Sequence, residues 1–191
     1  MGAGKTAMQT YFILRDYVEK HRRIFSNYQL KFPVRPPIKA HVEKSLPCCP
    51  PNGYLPERLQ LDWFLDPGNE ELRNATAALD EGWIFFDSRN SQSKPNRKAS
   101  NVLLQTRKRG IDILSTAQSF MQYDVRFRVN TDYLILCQKD NDLCHWELKN
   151  RWTGEVTPHT TRLPPLYDLY DTREIIDPRQ LTVPVEAKVL A

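Results

Sequence analysis

A chain of 191 residues that is 40% hydrophobic and 26% charged has the composition of an ordinary globular protein with one cored domain, and it holds no run of eighteen apolar residues that would cross a membrane as a helix. Its 27 Lys and Arg against 23 Asp and Glu leave a net charge of +4, too small by itself to demand a polyanionic partner. The cations are unevenly placed, however: Arg89, Lys94, Arg97, Lys98, Arg107, Lys108 and Arg109 fall between Ser88 and Ile111 without one acid among them, so the rest of the chain is net acidic. The four cysteines, Cys48, Cys49, Cys137 and Cys144, have no zinc-knuckle spacing and read as reduced thiols.

Met1-Gly2-Ala3-Gly4-Lys5-Thr6 is the closing half of the phosphate-loop pattern G-x-x-x-x-G-K-[ST], whose first glycine would stand ahead of Met1. Backbone N–H groups of Gly2, Ala3, Gly4, Lys5, Thr6 and Ala7 are expected to wrap the phosphates of ATP, with Lys5 at the β- and γ-phosphates and the Thr6 hydroxyl on Mg²⁺. The fragment lacks the strand that delivers such a loop, which predicts that Met1 is internal to a longer reading frame encoding an apolar strand just upstream.

Ala7, Tyr11, Leu14 and Val18 recur at helical spacing, so Thr6 to about Lys20 reads as an amphipathic helix, and Ile24–Tyr28 as a short strand. Eight of the fourteen prolines lie between Pro33 and Pro67, which makes that stretch mostly loop, with a helix predicted from Pro56 to Leu65. Ala75–Leu79 is a small-residue apolar run of the kind that forms a buried parallel strand. A helix from about Lys98 to Arg109 is stopped by Gly110; strands follow at Ile111–Gln118 and Tyr133–Cys137, then a β-hairpin from Trp146 to Val156 centred on Thr153-Gly154. From Arg162 the proline-punctuated tail is expected to pack across the domain surface.

An apolar strand ending in Asp80-Glu81, 75 residues after Lys5, supplies what an ATPase needs: Asp80 to hold Mg²⁺ through water and Glu81 to polarise the attacking water. Gln118, closing the next strand, is placed to sense the γ-phosphate, or else faces solvent at a strand end. Arg126 and Arg128 alternate with Val125, Phe127 and Val129, so an extended segment would put both on one face, either as an arginine finger toward a neighbouring subunit or as partners in surface ion pairs. The basic tract is interleaved with amides and hydroxyls, a composition that suits nucleic-acid backbone contacts without base readout, and equally a solvated basic helix. Trp83, Phe85 and Phe86 read as core.

With Gly4-Lys5-Thr6, Ile24-Phe25-Ser26-Asn27, Leu79-Asp80-Glu81-Gly82-Trp83, Phe86-Asp87-Ser88-Arg89, Thr106-Arg107-Lys108-Arg109-Gly110, Ser115-Thr116-Ala117-Gln118, Arg126-Phe127-Arg128-Val129-Asn130-Thr131-Asp132-Tyr133 and Tyr170-Asp171-Thr172-Arg173-Glu174, the chain resembles the HerA/FtsK superfamily of P-loop ATPases. Within it the sequence is most similar to the branch of zonular-occludens-toxin-like proteins and viral genome-packaging ATPases. The resemblance implies a single α/β domain over residues 1–191: a three-layer, RecA-like, mostly parallel sheet flanked by helices, lacking its first strand, with a C-terminal hairpin, a core to about residue 160 and an extended tail. It further implies a homo-oligomeric ring, usually a hexamer, that moves double-stranded DNA with ATP and Mg²⁺ in the host cytoplasm or at the virion, in company with a capsid or membrane assembly protein. Asp80 and Glu81 take the metal-binding and catalytic positions by that resemblance, Gln118 the sensor position, and Arg126 or Arg128 the finger. Members of the branch from filamentous phages carry a transmembrane helix after the ATPase domain, and no such apolar segment is present in these 191 residues.

Overall fold

A computed structural model describes residues 4–32, 55–66, 68–69, 72–90, 93–171, 174 and 176. Helix α1 (Lys5–Val18) starts directly after Gly4, whose φ of 79° lies in the left-handed region that side-chain-bearing residues avoid. Strands β1 (Arg23–Ser26), β2 (Glu57–Arg58), β3 (Ala75–Leu79) and β4 (Asp112–Ser115) form a parallel sheet in the order β2-β1-β3-β4. The two-residue period of the strands sorts their side chains into two cores. Ile24 and Ala78 face α1 with Met8, Ile13 and Tyr17, whereas Phe25, Ala75, Ala77 and Leu79 face helix α3 (Lys94–Arg109) through Ala99 and Val102. All five residues of β3 are buried, which its Ala-Thr-Ala-Ala-Leu sequence permits because small side chains let the layers approach.

The chain then crosses a short helix α4 (Val125–Val129) and enters an antiparallel meander of β5 (Tyr133–Asp140), β6 (Leu143–Asn150) and β7 (Val156–Arg162). Cys144 and Trp146 of β6 join the α1 core, with Trp146 edge-on to Phe12 at a centroid distance of 5.3 Å. Helix α5 (Pro164–Tyr167) and the bridge between Leu30 and Tyr170 bring the following segment back over α1, burying Leu163, Leu166 and Tyr170; most of the tail expected to pack on the domain lies outside the described residues. Among the described residues, β4 is paired only on its β3 side and β5 only on its β6 side. No helix among them is long and apolar enough to cross a membrane.

Several boundaries differ from expectation. Glu57–Arg58 belongs to a strand, not a helix, because it pairs with Phe25 and Ser26 and is tied by Arg23 donating to both Glu57 carboxylate oxygens at 2.9 Å; only α2 (Leu61–Phe64) is helical there. Helix α3 begins at Lys94, four residues before Lys98, since the Ser93 hydroxyl accepts the Asn96 N–H and proline in the first turn has no N–H to lose. At its other end Gly110 caps it at φ 66°, as its sequence implies. The hairpin is larger than Trp146 to Val156: β6 and β7 flank the turn 151–155, with Gly154 at φ 76°, and β5 continues to Asp140.

The segment carrying Arg126 and Arg128 is helical, not extended. The Asp124 carboxylate accepts the Arg126 N–H at 2.8 Å and starts α4, and Phe127 alone turns inward, stacked between Phe86 and Tyr123. Two residues apart on a helix is about 200° of rotation, so the two guanidinium groups diverge instead of sharing a face.

Candidate active site

The carboxyl ends of β1, β3 and β4 meet the amino end of α1, the edge at which open parallel sheets bind ligands. Asp80 leaves β3 there, and its Oδ1 accepts two hydroxyls, from Thr6 at 3.0 Å and from Thr116 at 2.6 Å. Its peptide is fixed by Asn27, which is wholly buried: Asp80 N–H donates to Asn27 Oδ1 at 2.7 Å and Asn27 Nδ2 donates to the Asp80 carbonyl at 2.8 Å. The Thr116 hydroxyl also accepts the Glu81 N–H at 2.9 Å, so a single O–H group joins both acidic residues to the end of β4.

Glu81 has φ 48° and ψ 41°, a left-handed backbone that costs free energy and clusters at functional positions. Its Oε2 accepts the Trp83 indole N–H at 2.6 Å. Gly82 is required behind it, because a Cβ there would stand 2.0 Å from Ser115 Oγ. The Ser115 and Tyr123 hydroxyls lie 2.5 Å apart, and Tyr123 donates to the Thr116 carbonyl at 2.7 Å. Burial pushes the Tyr123 phenol well above its ordinary range, with the charges of Glu81 and Asp80 acting in the same sense. Tyr28, 3.1 Å from Thr10 Oγ1, is likewise raised by burial, so both phenols stay neutral beside the carboxylates.

On the loop side, Gly4, Lys5, Thr6 and Ala7 run from the left-handed turn into α1, with Ala7 buried. Gly2 and Ala3 lie outside the described residues. A Cβ on Gly4 would lie 3.4 Å from Cys144 Sγ and 3.5 Å from Leu163 Cδ1, so Gly4 stands beside β6 and the residue that follows β7. Burial pushes the Cys137 thiol up to about 12, and the Lys5 ammonium lies near enough to oppose that shift. Among the described residues no three His, Cys, Asp or Glu side chains gather as a metal cluster. The Thr6 hydroxyl and the Asp80 carboxylate are instead a pair of hard oxygen donors of the kind Mg²⁺ takes together with phosphate oxygens.

Other expected site residues are not brought into this network. Gln118 lies two residues past Thr116 and makes no hydrogen bond among the described residues; the polar side chain that reaches Asp80 from this strand is Thr116. Arg126 sits 3.9 Å from Asp124, and Arg128 donates to Met121 Sδ at 3.2 Å, so neither turns to Asp80 or Glu81 of its own chain. Arg89 is engaged with Asp87, Lys98 with Asp62, Arg107 with Asp132, and Arg109 donates to the Asn69 carbonyl. Arg97, Lys98, Arg107 and Lys108 are nonetheless exposed along α3, whose first residue is Lys94.

Asn27, Thr116 and Trp83 also hold this network, although sequence reasoning places none of them at the site and reads Trp83 as core. Each lies inside a phrase that already stood out, yet an amide, a hydroxyl and an indole carry no titratable signal, and only the fold aims them at Asp80 and Glu81.

No family model and no curated protein matches the sequence. Solved structures do match the fold. The N-terminal domain of zonular occludens toxin from Neisseria meningitidis aligns with a TM-score of 0.58 at 19% identity, covering 89% of this chain and 94% of that one. The genome packaging NTPase B204 of Sulfolobus turreted icosahedral virus 2 in complex with sulfate aligns at TM-score 0.53 and 13% identity, covering 82% of this chain and 90% of that one. Its complex with ATP-gammaS gives 0.51 at 12% identity, covering 82% and 91%. A parallel sheet flanked by helices with a separate antiparallel sheet is a P-loop NTPase fold, and in this chain Thr6 meets Asp80 at the sheet's carboxyl edge.

Proposed function

We propose that this protein is a Mg²⁺-dependent ATPase that translocates nucleic acid, acting in the packaging of a viral or mobile-element genome. The observation that carries the reading is the 3.0 Å contact between Thr6 and Asp80, 74 residues apart, with Glu81 next in the chain. That contact joins a phosphate-loop hydroxyl to a strand-end carboxylate, and both would hold Mg²⁺ when nucleotide is bound. The ion would neutralise charge on the β- and γ-phosphate oxygens. Backbone N–H groups at the start of α1 and the Lys5 ammonium bind the phosphates, Glu81 orients and deprotonates the attacking water, and Thr116 and Asn27 keep the two acids in register. Because Arg126 and Arg128 turn away from their own Asp80, the reading assigns them to the site of a neighbouring subunit in a homo-oligomeric ring, a hexamer by resemblance. The basic face of α3 is assigned to the phosphate backbone of double-stranded DNA.

The test is DNA-stimulated ATP hydrolysis. Wild-type protein is expected to turn over ATP faster with DNA and faster per subunit as concentration rises. Mixing Arg126→Ala/Arg128→Ala protein with Glu81→Gln protein should restore activity, since each supplies what the other lacks. Hydrolysis that is first-order in protein, indifferent to DNA and never complemented would overturn the translocase reading. The higher TM-score and coverage of the toxin domain favour one alternative, a Zot-like phage assembly or export factor that uses nucleotide as a switch and handles protein; it predicts ATP binding without DNA stimulation.

A further inference from the structure

Glu81 Oε2 and the Trp83 indole N–H are 2.6 Å apart, a short charge-assisted hydrogen bond between residues two apart in sequence. Regular helix geometry does not bring such residues together. The contact arises because Glu81 is left-handed and the 3₁₀ turn Gly82–Ile84 begins immediately after it, closed by Ile84 N–H to the Glu81 carbonyl at 3.0 Å and Phe85 N–H to the Gly82 carbonyl at 3.1 Å. That turn has little freedom. Gly82 is pressed against Ser115, Leu79 and Tyr123, and the buried Phe85 and Phe86 anchor its far end in the second core. The Trp83 ring itself packs against that core, so its N–H is presented from a fixed position.

We infer that Trp83 is a positioning residue for Glu81. The indole holds Oε2 and leaves Oε1 to face the water, so the carboxylate is aimed before nucleotide arrives. When the water oxygen bonds to the γ-phosphorus and the bond to the ADP oxygen breaks, the water proton passes to Oε1. A general base must stand within about 2.6–3.2 Å of the proton it takes, and a carboxylate free to rotate spends much of its time outside that range. This role rests on the reading of Glu81 as the water-activating group.

The experiment combines Trp83→Phe, which keeps an aromatic side chain and loses the donor, with the Glu81→Gln background. Trp83→Phe is expected to lower kcat about ten-fold at a temperature where it remains folded, while leaving the affinity for a fluorescent ATP analogue unchanged, as for loss of an oriented catalytic group. In the Glu81→Gln background the same change should cost nothing further. Trp83→His, which retains a ring N–H, should recover part of the loss. A Trp83→Phe enzyme with wild-type kcat, or a loss that repeats in full without the Glu81 carboxylate, would overturn the role. The hydrogen bond is read without turnover, since the Trp83 indole N–H resonance should move on Glu81→Gln; an unmoved resonance also overturns it. Wild-type protein that binds ATP and never hydrolyses it fails the parent reading and this role together. Wild-type hydrolysis with an indifferent Trp83→Phe fails this role alone.

Discussion

Thr116 donates its hydroxyl hydrogen to Asp80 Oδ1 at 2.6 Å and accepts the Glu81 N–H on the same oxygen at 2.9 Å. One side chain thereby sets the distance between the end of β4 and both acidic residues. Thr116→Val keeps the shape, strands the Glu81 N–H and strips one donor from the Asp80 carboxylate. The expected cost is about 1–3 kcal/mol of folding free energy, read from urea denaturation, because an unsatisfied buried polar group loses its desolvation without return. Thr116→Ser should stay close to wild type, and a Val variant of wild-type stability would mean that this hydroxyl is not needed.

Asn27 makes two bonds to the peptide of Asp80 from a fully buried position. Asn27→Leu removes both with the same number of heavy atoms, at about 1–3 kcal/mol for each stranded backbone group and a further cost for its larger methyl groups. The urea midpoint should fall at unchanged m-value, and ATP affinity should fall with it because the turn holding Asp80 is loosened.

Gly82→Ala places a Cβ 2.0 Å from Ser115 Oγ, so strand or turn must shift. Overpacking of this kind costs about 1–3 kcal/mol. Removing the obstructing oxygen with Ser115→Ala should recover only part of the Tm, since Leu79 Cβ at 3.0 Å and the Tyr123 hydroxyl at 3.2 Å still crowd the new methyl.

Helix α3 turns by about 100° per residue, which lines Arg97, Asn101, Leu104 and Lys108 along one exposed stripe with Arg107 beside it. Neutralising Arg97, Arg107 and Lys108 to Gln is expected to weaken duplex DNA binding across all sequences and to reduce the log–log salt slope by about 0.9 for each phosphate that is no longer neutralised. Arg109 is left in place because it is tied to the Asn69 carbonyl. An unchanged slope would return the stripe to ordinary solvated surface.

Burial pushes both the Cys137 thiol and the Tyr170 phenol up to about 12. In each case the folded chain holds a proton that the unfolded chain has already released, so stability present at neutral pH is lost as pH rises. For Cys137 the loss begins near pH 9, the ordinary thiol value, and continues to about 12. Urea midpoints across that window should fall steadily, and Cys137→Val should flatten the slope, whereas a midpoint that rises with pH would contradict this account.

Much of this fold was legible because its signals are local. The period of α1, the small-residue run of β3 and the Gly110 cap each depend on neighbours in sequence, and the structure bears them out. The Thr6–Asp80 contact could be anticipated for a different reason, since an acidic pair after a buried strand stands out once a phosphate-loop pattern is recognised. The misreadings sit where tertiary contacts decide. The Glu57–Arg58 strand exists because β1 offers it an edge, and Val125–Val129 satisfies a two-residue alternation equally well as a short helix capped by Asp124 with Phe127 buried. The strand expected to run to Gln118 ends at Ser115, and the side chain that reaches Asp80 just beyond that end is Thr116, two residues before Gln118.

The closeness of Gly4 to Cys144 and Leu163 gives the two sheets a mechanical connection. Helix α1 is a stiff rod whose tip carries the phosphate loop and whose flank presses Phe12 edge-on against Trp146. Close-packed interiors pass displacement on instead of absorbing it. Under the proposed function, a shift of Gly4 and the tip of α1 toward a phosphate would therefore be passed on to β6 through Cys144 and Trp146.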